Sequence, residues 1–120
     1  RIIAMSSLGS VRAMPNYAFI GASKAALINF TETPYLDPHP KRRGLYLVMP
    51  GFVKTPLTDR NEFTMPNLIS AEEAATEILG GLCAGDFEIH FPKRFTRWVK
   101  ALSWLSAGLY FKAVRRVTGL

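Results

Sequence analysis

A chain of 120 residues is one domain at most. Hydrophobic residues at 48% and charged residues at 20% exclude the disordered and fibrous classes. The formal net charge of +6 comes from one end: Lys93, Arg94, Arg97, Lys100, Lys112, Arg115 and Arg116 have no acid among them, while the remaining residues carry eight bases against nine acids.

One cysteine, Cys83, excludes an internal disulfide. It predicts a reducing, cytoplasmic setting and a small buried thiol. No signal-peptide pattern is visible, and no apolar run approaches the ~20 residues that span a bilayer. Arg1 stands directly before the apolar run Ile2-Ile3-Ala4-Met5, which predicts a chain that starts inside an element, as a fragment would.

Arg1–Met5 reads as a buried strand end, short and apolar. Residues 8–15 form a loop, and Asn16 is a candidate helix cap. A helix follows from Ala18 to Thr33, rich in small residues and stopped by Pro34. Residues 37–43 read as a loop. Leu45–Met49 is a second strand, ended by Pro50-Gly51. Strand, helix and strand make a βαβ unit with parallel strands.

Residues 52–69 are irregular and placed to cover a site. Ser70 and Glu73 form a capping box. The helix behind it aligns Ala71, Ala74, Ala75, Ile78, Leu79 and Leu82 on one face, and Gly80, Gly81 and Gly85 fray or end it. Phe87–Phe91 alternates apolar and polar, as a half-buried edge strand does. His90 lies on its polar side and His39 between two prolines, and neither has the neighbours a metal site needs. A basic amphipathic tail runs from Phe95 to Val117, with a break expected at Gly108. It suits packing on the domain, on a second subunit in a homo-oligomer, or on a membrane surface. No nucleic-acid motif accompanies the charge.

Three motifs come in register: Ser6-Ser7 at a strand end, Gly21-Ala22-Ser23-Lys24-Ala25-Ala26-Leu27, and Met49-Pro50-Gly51-Phe52-Val53-Lys54-Thr55-Pro56. Over nearly the whole chain this resembles the C-terminal half of a short-chain dehydrogenase/reductase. The resemblance implies an α/β fold, a partial Rossmann-type doubly wound parallel sheet over residues 1–92, with a helical extension over 93–120. It implies NAD or NADP as cofactor and a small-molecule alcohol or carbonyl substrate.

The resemblance also assigns roles. Ser7 matches the serine that bonds the substrate oxygen. Lys24 matches the lysine that holds the nicotinamide ribose and lowers the pKa of a catalytic tyrosine, ~10 when free. Pro50, Gly51, Val53 and Thr55 match the turn at the nicotinamide. The tyrosine itself belongs four residues before Lys24 and thirteen after Ser7, and both counts land on Ile20. Isoleucine has no proton to give. Tyr17 is the nearest phenol, a stand-in ~10 Å from Lys24 along a helix axis. Met49 departs from the family pattern, and no glycine-rich phosphate loop follows a strand here. The chain is expected not to carry out hydride transfer alone. The alternative is a non-catalytic remnant or interaction module that docks through its basic tail.

Overall fold

The computed structural model describes residues 1–37, 44–60, 62 and 64–120. The elements are β1 (Ile2–Met5), α1 (Ala18–Leu36), β2 (Leu45–Pro50), α2 (Ala71–Ala84), β3 (Glu88–Phe91), α3 (Lys93–Ser103) and α4 (Ala107–Thr118), with 3-10 turns at Leu8–Ser10 and Thr58–Arg60. The strands form one parallel sheet in the order β1-β2-β3. The fold is α/β, a partial Rossmann-type sheet with helices on both faces.

β2 is the middle strand and is buried on both sides, as a parallel strand between helical layers must be. Leu47 and Met49 join Ala4 on the α1 side, where Leu27 and Ile28 pack on them. Val48 points the opposite way, into a cluster with Ala74, Ile89 and Phe91. Ile78 and Leu82 of α2 close that second layer. α2 begins with the predicted capping box: Ser70 Oγ accepts from the Glu73 N–H, and a Glu73 carboxylate oxygen accepts from the Ser70 N–H. Its end is Gly85, in the left-handed region at φ 79°, where a side chain would be strained.

Several expectations are corrected. β1 is not buried: Ala4 is covered, while Ile2, Ile3 and Met5 are exposed. Ile3 and Met5 face the α2 layer, which packs on β2 and β3. Gly80 and Gly81 do not fray α2, which runs through them to Ala84. Gly81 instead lets the helix approach the sheet. A Cβ there would lie 2.6 Å from Ile89 Cγ1. Of the predicted α2 face, Ala74 is buried while Ala71, Ala75 and Leu79 are exposed. Cys83 is exposed, because it stands one residue past Leu82 and so about 100° round the helix from the packed face.

Pro34 does not stop α1, which continues to Leu36. The hydrogen bond it forfeits would reach the carbonyl of Phe30, a strongly exposed residue, so water can replace it. Asn16 is not the cap either. It takes φ 60°, and Tyr17 occupies the cap position. Phe87 breaks the alternation of its segment by packing on the α1 side, stacked on Tyr35 at 4.0 Å. The tail is two helices, broken at residues 104–106, with Gly108 inside α4. The predicted loop at residues 38–43, His39 included, lies outside the described residues.

The tail is tied to the loop before α1 by residues that no motif marks. The Arg12 guanidinium donates to the carbonyls of Ser103 and Leu105 and stacks 4.2 Å over the Tyr110 ring. Tyr110 donates from its hydroxyl to the Ala13 carbonyl at 2.8 Å. Burial pushes the Tyr110 pKa up, and the Arg12 charge pulls against it.

Candidate active site

β1 and β2 are adjacent and parallel, with Met5 opposite Val48. Their carboxyl ends therefore meet at one edge of the sheet, the edge where open α/β sheets bind ligands. Ser6 and Ser7 follow β1 there, and Pro50-Gly51 closes β2. The Ser6 N–H donates to the Val48 carbonyl at 2.8 Å, which extends the ladder to the rim.

Ser7 caps the short 3-10 turn, its Oγ accepting from the Gly9 N–H at 3.3 Å. The same oxygen shares a hydrogen bond of 3.2 Å with the Tyr17 hydroxyl. Two glycines seat the tyrosine ring: a Cβ at Gly9 would lie 3.0 Å from Tyr17 Cε1, and one at Gly21 3.4 Å from Cδ1. The Tyr17 phenol thus reaches Ser7 from the N-terminal end of α1. Ile20, in the position the family pattern gives to tyrosine, is half exposed.

Lys24 lies two turns along α1 and folds back to β1, its Nζ donating to the Met5 carbonyl at 2.7 Å. Ser6 braces the same junction by donating to the Lys24 carbonyl at 2.9 Å. An ammonium has three donors, so two remain for other acceptors.

Beyond β2 the chain makes a small bridge, Val53 beside Ile69. The Ile69 N–H donates to Phe52 and the Lys54 N–H to Ile69, so the N–H of Val53 points away from Ile69. Thr55 bonds the first residue of the second 3-10 turn. Its Oγ1 accepts from the Thr58 N–H at 3.3 Å, and Thr58 Oγ1 in turn donates to the Val53 carbonyl at 2.8 Å. Gly51 has a packing reason of its own, since a Cβ would lie 3.2 Å from the Phe91 carbonyl. Sequence reading missed Thr58 and Arg12. It also missed the seat for Tyr17, although Gly9 and Gly21 are the small residues such a seat requires.

His90 belongs to a separate cluster. Thr96 Oγ1 shares a hydrogen bond with His90 Nδ1 and lies 3.1 Å from the Pro92 and Lys93 carbonyls. Burial lowers the His90 pKa, helped by Lys100, Lys93 and Arg97 and opposed by Glu88. Glu88 is itself paired with Lys100. The folded pKa lies below the unfolded 6.5, so the unfolded chain binds the proton more readily. Stability should be full above that pH and decline as the pH falls below it. Urea melts across this range should show the decline, and His90→Gln should flatten it. Among the described residues no group of three His, Cys, Asp or Glu side chains could hold a metal ion, and no helix is long and apolar enough to cross a membrane.

A family model described as enoyl-(acyl carrier protein) reductase matches residues 1–80. An uncharacterized oxidoreductase of Myxococcus xanthus is 33% identical over 117 residues, covering 97% of this chain and 46% of that protein. The 11-beta-hydroxysteroid dehydrogenase-like protein 4A of Arabidopsis thaliana is 33% identical over 89% of this chain and 36% of its own length. A 3-ketodihydrosphingosine reductase of Bacteroides thetaiotaomicron is 36% identical over 53% of this chain and 24% of its own length. The chain thus spans less than half of each of these relatives. With the parallel sheet and the Ser7, Lys24 and Pro50-Gly51 motifs at one rim, these matches make the chain a member of the short-chain dehydrogenase/reductase family.

Proposed function

We propose that the protein contributes the substrate and nicotinamide side of an NAD(P)-dependent oxidoreductase that interconverts an alcohol and a carbonyl. One observation carries the reading: the Ser7 hydroxyl, the Tyr17 phenol and the Lys24 side chain gather where β1 ends, beside the Pro50-Gly51 end of β2. The nicotinamide, when bound, supplies or takes up the hydride. Ser7 orients the substrate oxygen by a hydrogen bond. Tyr17 gives that oxygen a proton on reduction and takes it back on oxidation. Lys24 has donors to spare for ribose hydroxyls, and the Val53 N–H and the Thr55 hydroxyl are donors suited to the nicotinamide amide. The donor set fits the nicotinamide-ribose half of the cofactor. The pyrophosphate half needs a glycine-rich turn that these residues do not form.

The names of two relatives, an 11-beta-hydroxysteroid dehydrogenase-like protein and a 3-ketodihydrosphingosine reductase, support a lipid-like alcohol or ketone as substrate. Ile20 favours a second reading, a remnant that retains the pocket without the chemistry. Reduced nicotinamide mononucleotide tests the cofactor half, because it lacks the adenylate part. Titrated into the chain and followed by ligand-observed NMR, it should bind, and Lys24→Ala should weaken it by ~10-fold or more, as loss of a charged hydrogen bond does. Binding that is absent, or indifferent to Lys24→Ala, would leave the remnant reading.

A further inference from the structure

The last two helices leave several large apolar side chains exposed. α3 is anchored by Thr96 and α4 by Tyr110, both fully enclosed. Ala113 and Val114, on the Tyr110 side of α4, are half-buried. Leu109, Phe111 and Val117 of α4 are exposed, as are Leu120 beyond the left-handed Gly119 and the two tryptophans, Trp98 and Trp104. Trp104, in the turn between the helices, is 89% exposed. Scattered surface leucines are ordinary, but two exposed tryptophans on α3 and the α3–α4 turn, followed by exposed Leu109, Phe111 and Val117, mark an interaction surface.

Charge decides the occupant. Lys100 is paired with Glu88, and Lys93 and Arg97 line a cleft with Glu77, Asp86 and Glu88, while Arg94, Lys112, Arg115 and Arg116 stand exposed in a stretch, Lys93 to Leu120, that contains no acid. A second copy meeting this face would set cations against cations. An anionic bilayer satisfies both features at once, taking the tryptophans and the exposed apolar side chains at its interface and the cations at its headgroups. We propose that α3 and α4 form a monotopic anchor that seats the protein on an anionic lipid surface. The carboxyl rim of the sheet is joined to this anchor through Arg12, which follows Ser7 and the 3-10 turn and holds the α3–α4 turn.

The chain's two tryptophans are Trp98 and Trp104, so fluorescence excited selectively at tryptophan reports on these two positions alone. Mixed with phosphatidylcholine vesicles containing phosphatidylglycerol, the chain should sediment with them and its emission should shift to the blue. Added salt should reverse both. Pure phosphatidylcholine should give little of either. Lys112→Glu with Arg116→Glu should weaken partition by ~100-fold or more, from the loss per charge near an anionic surface. Trp104→Ser should weaken it too, while Phe19→Ser, on the exposed side of α1, should leave it unchanged. Equal binding to neutral vesicles, indifference to the charge reversals, or a Phe19→Ser effect as large as that of Trp104→Ser would overturn the anchor. So would a stable dimer that shields the tryptophans and ignores vesicles.

Discussion

Phe91→Ala should cost about 3–5 kcal/mol of unfolding free energy, the largest stability effect expected in this chain. Phe91 is 1% exposed and sits where three elements converge. Its ring fills the layer with Val48, Ala74 and Ile89, and its carbonyl accepts from the Gly51 N–H at 2.8 Å. Truncation would leave a cavity beneath α2 that a close-packed interior closes only in part. Against a typical domain stability of roughly 5–15 kcal/mol, the variant should be largely unfolded or close to it. Urea melts of the parent and variant measure the difference. Phe19→Ala is the comparison: Phe19 is 92% exposed, and its loss should stay within ~0.5 kcal/mol. Equal melts for the two variants would mean that the layer between α2 and the sheet is not the folding core.

If the chain works in the proposed reaction, Tyr17→Phe should lower alcohol–carbonyl turnover by ~100-fold or more, the range for loss of a general acid–base group. Phenylalanine keeps the ring on its Gly9 and Gly21 seat and removes only the hydroxyl that meets Ser7. Ile20→Tyr in the same chain should recover turnover, because it puts a phenol one helical turn from Lys24. Ile20 is half exposed, so the exchange disturbs no packed core. Steady-state kinetics on the two single variants and the double variant separate the possibilities. Unchanged turnover in Tyr17→Phe would remove Tyr17 from the chemistry. No recovery on adding Ile20→Tyr would count against the placement of the site around Ser7 and Lys24.

The existence and type of the strands and of the first two helices could be read from the residues, because each is encoded locally. Apolar runs bounded by Pro50-Gly51 and by Gly85 give strand and helix ends, and Ser70 with Glu73 gives a cap whose partners lie within one turn. The parallel pairing follows from the helix between the strands. The motifs that name the family are local in the same sense.

What could not be read depends on which layer covers which strand. Ile2, Ile3 and Met5 are as apolar as a core strand, yet α2 packs over β2 and β3 and leaves β1 uncovered. Phe87 continues the apolar–polar pattern in the sequence but departs from it in space, packing on the opposite layer, because the strand begins one residue later and Tyr35 stacks on it there. Pro34 stays inside a helix because its lost bond faces water.

The chain by itself determined the kind of each early element, their parallel order and the family signature, since those reside in spacing and in neighbours a few residues apart. Tertiary structure alone decided that Tyr17 meets Ser7 and that Arg12 holds the turn between α3 and α4. Such contacts join residues from ten to more than ninety positions apart. Their energy comes from packing and hydrogen bonds that exist only once the backbone has closed around them.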